Sequence, residues 1–214
     1  MPHQMVYHSS LNDVVDVQAA CGCAILPIKT AARGPAPAGN EGEEDIVDEV
    51  LGFFKANVLF KHFEVKGCAD RVLIYLTLYT TQCLKRLETC ATPADGLKAL
   101  TAMAHESFTL PGARVRGPWG AVVDFCQREQ SQCRAPSAEW PSRPSVCTGE
   151  ANFSLGGFFP PPASDVEAEL CRGYLKQARE ELGRRLVRLV YDDDGAPSKF
   201  WMVFAKRRFM NKQL

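Results

Sequence analysis

Apolar positions recur at helical spacing in several stretches, and most of these carry a start signal. In EDIVDEVLGFFKANVLFKHF (Glu44 to Phe63), Val47, Val50, Leu51, Phe54 and Val58 form the i, i+3, i+4, i+7 stripe of an amphipathic helix. Asp45 is placed to cap it, with Asp48 and Glu49 in the first turn, where the helix dipole favours acid. Gly52 costs about 1 kcal/mol of propensity against Ala, so packing must hold the segment, and Gly67 breaks the chain after it. ADRVLIYLTLYTTQCLKRLETC (Ala69 to Cys90) is apolar around most of its circumference from Val72 to Leu84, the mark of a helix enclosed by others. A buried strand is the rival, since Val, Ile, Tyr and Thr favour strands. Length and the missing turn residues decide for helix. TPADGLKALTAMAH opens with Thr92 as cap and Pro93 at the first helical position, and runs to about His105 before FTLPG (Phe108 to Gly112) turns. The last long pattern, SDVEAELCRGYLKQAREELGRRLVRLV, follows three prolines and has Ser164 and Glu167 at capping-box spacing. Val166, Leu170, Tyr174, Ala178, Leu182 and Leu186 recur at four-residue steps, with Leu175 and Leu189 widening the stripe. Arg184, Arg185 and Arg188 read as its solvated, dipole-matched end, and YDDDGAP stops it.

Residues 1–44 read as an extended arm, because Pro27, Gly34, Pro35, Pro37, Gly39 and Gly42 punctuate it too often for a long helix. AILPIK (Ala24 to Lys29) suits a short extended piece laid on the core. Residues 113–149 are rich in Pro, Ser, Arg, Gln and Cys without sustained period, which predicts a disordered insertion. The expected fold is therefore all-α: one domain over 1–214, a compact bundle of about five helices around a central one, with an N-terminal arm and one long inserted loop. The chain ends in PSKFWMVFAKRRFMNKQL. With Pro197 in a first turn, Trp201, Phe204, Ala205 and Arg208 would share one helical face and Phe200, Val203 and Arg207 the next row. One reading is a last core helix whose Lys and Arg stems cover apolar surface. Another is a docking edge, since interfaces favour aromatic residues, Met and Arg. The two are compatible.

Composition narrows the function. Lys plus Arg and Asp plus Glu both number 25, so no global field draws nucleic acid or anionic lipid. Aromatic stacking with cations is a nucleic-acid signature, but here it is confined to one cluster on a neutral chain. The most apolar run, Val72 to Thr81, is ten residues long, whereas a bilayer span needs roughly 20. The N-terminus has no apolar signal region, so neither secretion nor a membrane is expected. Nine cysteines, an odd number without C-x-x-C, suit reduced thiols. Cys21 and Cys23 lack a second ligand pair at zinc spacing, and Asp192-Asp193-Asp194 lacks the other ligands of a cation site. His3 and His8 lie in the arm and are expected to be solvated, and His62 is placed to meet the terminal carbonyls of a helix. His105-Glu106-Ser107 strings together catalytic residue types, but adjacency does not make a triad. The common nucleophile, phosphate-loop, zinc-protease and EF-hand patterns are absent. No enzyme, metal or cofactor is expected; the informative features are surfaces.

These features also carry a resemblance. YHSSLND (Tyr7 to Asp13), LPIKT (Leu26 to Thr30), GPAP (Gly34 to Pro37) and DIVDE (Asp45 to Glu49) occur in order. They are followed by FFKANVLFKHFEVKGCADRVLIYLTLYTTQCLKRL (Phe53 to Leu87), FTLPG, YLKQAREELGRRL and PSKFWMVFAKRRFMNK. Together they resemble the subunit 3 family of the actin-related protein 2/3 complex. Phe200-Trp201 stands where the family has a tryptophan pair. The segment 113–149, which the family lacks, is either a loop particular to this lineage or translated intron. The transcript across Gly112 to Glu150 distinguishes the two. The resemblance implies a helical, non-catalytic, cytoplasmic subunit of the actin cytoskeleton. It would contact chiefly actin-related protein 3, meet the filament only through the assembly, and support nucleation of branched filaments without a nucleotide or other cofactor. The partner-binding residues it points to are Tyr7, His8, Phe200, Trp201, Lys206, Arg207, Arg208, Phe209, Met210 and Lys212. The alternative is an independent helical adaptor, or a nucleic-acid-binding module, using the same tail.

Overall fold

Asp45 starts the helical body. Its Oδ1 accepts the amides of Val47 (3.1 Å) and Asp48 (3.0 Å), and Asp48 Oδ2 accepts the Asp45 amide in return (3.4 Å), a complete capping box on helix α1, Ile46–Asn57. The computed structural model describes residues 6–14, 17–112, 115–116, 122–123, 158–191 and 195–212. After α1 come α2 (Cys68–Leu87), α3 (Pro93–His105), α4 (Asp165–Val190) and the short α5 (Lys199–Met202). The architecture is the expected all-α one. Strand structure among the described residues is limited to two antiparallel pairs of two-residue strands, β1 (Ala19–Ala20) with β2 (Cys23–Ala24) and β3 (Val115–Arg116) with β4 (Val122–Val123). Apart from β3 and β4, the segment 113–149 lies outside the described residues, as do His3 and Asp192-Asp193-Asp194.

The central element is α2, touched by α1, α3, α4, the β1–β2 hairpin and the C-terminal tail. Val72 through Thr81 are all buried. Its threonines do not force a strand, because the hydroxyls donate within the helix: Thr77 to Leu73 O (2.7 Å), Thr80 to Leu76 O (2.7 Å) and Thr81 to Thr77 O (3.3 Å). Thr92 caps α3 with Pro93 in its first turn, as expected. Helices α3 and α4 pack closely where Gly183 faces Leu100; an added Cβ would sit 3.2 Å from the Leu100 Cβ. The Arg179 guanidinium of α4 is buried between the rings of Tyr79 and Phe108, 4.4 Å from each centroid. The arm does lay Ile25, Leu26 and Ile28 on the core, and the Leu26 amide donates to the Tyr174 hydroxyl (3.2 Å). The hairpin turn before it puts Cys21 (φ 51°) and Gly22 (φ 72°) in the left-handed region, as a two-residue hairpin requires.

Several expectations are corrected. Val166 is 80% exposed and Leu189 is also exposed, so the buried stripe of α4 begins at Cys171. A four-residue step overshoots the 3.6-residue turn by about 40°, and a row kept for five steps must leave the core. The Ser164 hydroxyl accepts the Glu167 amide (3.1 Å), but the Glu167 carboxylate turns to the amides of Cys21 (2.6 Å) and Ala163 (2.7 Å), so the capping box is half made. Arg185 is not a solvated helix end. It bonds Asp45, Asp48, Glu181 and the Lys29 carbonyl, tying α4 to α1 and the arm. His62 is exposed beyond the end of α1, whose last carbonyls are taken by the amides of Val58, Leu59 and Phe60. The tail is not one helix. After α5 it tightens into a 3-10 turn (Val203–Lys206), runs extended through Arg207 and Arg208, and closes in a second 3-10 turn (Phe209–Asn211). Arg208 therefore leaves the face of Trp201. Long-range contacts set this path: Phe209 meets Phe63 edge-on (5.8 Å), and the Met210 amide donates to Phe60 O (3.0 Å).

Candidate docking face

Two carboxylates of the helical body hold the arm. Glu49 of α1, 3% exposed, accepts the Ser9 hydroxyl (2.5 Å), the Ser10 amide (2.9 Å) and the Ser10 hydroxyl. Asp70 of α2, fully buried, accepts the amides of Ser9 (2.9 Å) and Lys66 (2.9 Å), the Asn12 side-chain amide (2.8 Å) and His8 Nδ1 (2.8 Å). Burial pushes the Asp70 carboxyl up, but the Lys66 and Ser9 amides with Asn12 and His8 outweigh it and hold it below the ordinary carboxylate range. Asn57 closes the other end, accepting the Tyr7 amide (3.1 Å) and donating to the Tyr7 carbonyl (2.9 Å).

So held, Tyr7 stacks on Phe53 (5.2 Å) at the outer side of α1 and stays largely exposed. The tail reaches the same helix. Trp201 stacks on Phe54 (6.0 Å), while Phe204 meets both Phe54 (6.0 Å) and Phe200 (6.1 Å) edge-on. Lys55 Nζ lies 4.2 Å from the ring centroids of both Phe200 and Trp201. Phe200 is 62% and Val203 59% exposed, and Leu59 is exposed beyond the end of α1. Single exposed apolar residues are ordinary; here several, drawn from the arm, α1 and the tail, lie around one helix. Lys206, Arg207 and Arg208 are exposed in the same tail.

The ten residues singled out by sequence fall into three groups. Tyr7, Phe200, Lys206, Arg207 and Arg208 are exposed; His8 and Lys212 are half-buried; Trp201, Phe209 and Met210 are buried in the chain's own core. His8 lies against Phe63 (4.9 Å), on which Phe209 also packs, so this ring joins arm to tail. Past it opens a cleft of about 930 Å³ with Lys61, Lys66, Arg71 and Lys212 among its walls and Glu64 as the exposed acid. Phe53, Lys55 and Leu59 were not singled out. The signal for Phe53 was an aromatic residue placed off the buried stripe of α1.

Chemistry does not assemble elsewhere among the described residues. His105 pairs with Glu180 (3.4 Å) rather than with Ser107. Cys21 and Cys171 are buried together, and burial, then its neighbour Cys171, pushes the Cys21 thiol up to about 12, a poor nucleophile. No group of three or more His, Cys, Asp or Glu among the described residues could hold a metal, and no described helix is long and apolar enough to cross a membrane.

Fold and face define a class: an all-α scaffold with an aromatic, cation-fringed surface carried jointly by its arm, first helix and tail. Comparison with known proteins gives the family. The model of P21-Arc, the ARP2/3 complex ARPC3 (21 kDa) subunit, matches residues 4–135 and 129–214. An Arabidopsis thaliana protein named actin-related protein 2/3 complex subunit 3 is 42% identical over 97% of this chain and 98% of its own length. Proteins of the same name from Dictyostelium discoideum (39% identical; 98% of this chain, 100% of the relative) and Schizosaccharomyces pombe (38%; 97% and 98%) match as fully. The chain belongs to the subunit 3 family of the actin-related protein 2/3 complex, a family of structural, non-enzymatic subunits.

Proposed function

We propose that this chain serves as a structural subunit that docks chiefly on actin-related protein 3 and helps place it for nucleation of branched actin filaments. It works in the cytoplasm and meets the filament through the complex, without nucleic acid, membrane or cofactor. The supporting observation is the exposed aromatic face around Phe200, Val203, Tyr7 and Lys55, whose composition is that of an interface core and rim. In this reading Tyr7, Phe200, Lys206, Arg207, Arg208 and Lys212 touch the partner. His8, Trp201, Phe209 and Met210 fix the arm and tail that present them. The test is Phe200→Asp with Arg207→Glu, two exposed positions. The expected outcome is loss of actin-related protein 3 from the purified complex, with helix content by circular dichroism unchanged. Normal assembly of the double variant contradicts the proposal.

A further inference from the structure

Ser10 sits in an unusual electrostatic position for an exposed serine. It opens the 3-10 turn Ser10–Asp13, and both its amide and its hydroxyl donate to Glu49 Oε1, while the neighbouring Ser9 hydroxyl donates to Oε2. Three donors from two consecutive residues thus satisfy one carboxylate that is nearly excluded from water. The next socket, Asp70, accepts three donors from the arm, the Ser9 amide, Asn12 Nδ2 and His8 Nδ1, beside the Lys66 amide of its own body. Toward the two carboxylates, from His8 to Asn12, the arm is therefore seated as a strip of donors. That arrangement fails if a donor becomes an anion. The sequence around it reads Ser10-Leu11-Asn12-Asp13, with an acid three residues after the serine, the pattern acidophilic serine kinases select.

We propose that Ser10 is a phosphorylation site whose modification releases the arm Val6–Val14 from α1 and α2. This deepens the docking reading above and rests on it, because the arm carries Tyr7 and His8. In the transfer, Ser10 Oγ attacks the γ-phosphorus of ATP and the Oγ–P bond forms. The bond from that phosphorus to the β-phosphate oxygen breaks, ADP leaves with the electron pair, and the hydroxyl proton passes to the kinase's base. The serine loses its donor and gains a charge of about −2. Directly facing that charge is Glu49 from α1, with Asp13 in the same turn, while Asp70 from α2 holds the amide of the neighbouring Ser9 and the His8 imidazole. Glu49 cannot yield, because α1 is fixed by Val47, Val50 and Phe54 in the core. The arm, held by hydrogen bonds, the ring contacts of Tyr7 and His8, and the partly buried Val6 and Leu11, is the element that moves.

The experiment treats the full chain with ATP and an acidophilic serine kinase, maps the product by mass, and follows amide hydrogen exchange. A single addition of about 80 Da at Ser10 is expected, absent from Ser10→Ala. Amides of residues 7–12 should then exchange at least about tenfold faster, with α2 unchanged. Ser10→Asp should reproduce the acceleration, Ser10→Ala should give much less, and Ser10→Asp with Glu49→Gln should restore protection. Failure of the kinase to modify Ser10, or an arm that stays protected once modified, overturns the proposal. Because exchange is read on the chain without a partner, an intact arm switch in a chain that never binds actin-related protein 3 would sink only the docking reading.

Discussion

Asp70 and Arg185 show how single charges hold the arm in place. Asp70 is fully buried yet carries four donors, so Asp70→Asn keeps the shape and removes the charge those donors face. The expected loss is about 2–4 kcal/mol by urea unfolding at neutral pH. The sign of its pH dependence follows from the depressed carboxyl. A folded-state pKa below the unfolded one, about 3.9, adds stability that is complete above that value and lost as pH falls through the folded pKa. Stability of the native chain should drop below about pH 4, and Asp70→Asn should flatten that acid limb. Arg185 is the counterpart on α4. Its guanidinium serves three carboxylates and a carbonyl in one fork, which an ammonium cannot match. Arg185→Lys should cost about 1–2 kcal/mol and Arg185→Ala about 3 kcal/mol in the same assay.

Among the elements, the long helices were legible and the tail was not, for one physical reason. Asp45, Thr92 with Pro93, and Ser164 are local signals, and the groups they satisfy lie within four residues, so the start of α1, α3 and α4 could be read in sequence. The tail's path depends on Phe63 and Phe60, more than 140 residues earlier in the chain, and no local period encodes that. The candidate site divided the same way: residue types were readable, but which faced outward was not, and Phe53 joins the face through the arm's Tyr7 and Lys55 through the tail's Phe200 and Trp201. Mutations should sort accordingly. Phe209→Ala, a buried ring, is expected to cost about 3–4 kcal/mol and lower the thermal midpoint. Phe200→Asp should stay within about 0.5 kcal/mol of the parent, as exposed substitutions usually do. A Phe200→Asp chain that unfolds early would place that ring in the core instead.

At the scale of the whole molecule, a formally neutral chain gathers one group of aromatic and basic residues at α1 and the tail. The arm and the tail both build that surface, so the core and the proposed docking face share a segment: Trp201 and Phe209 fill the core while Phe200 and Arg207 project from it. The claim that this chain acts as a built-in part of an actin-nucleating assembly is tested most directly by its company in the cell. The measurement is the stoichiometry of proteins recovered with the tagged full chain from its own cells, by quantitative mass spectrometry at physiological salt. The account predicts both actin-related subunits in equimolar amount with the chain. Recovery as a monomer, or with nucleic acid that dissociates steeply as salt rises, would contradict it.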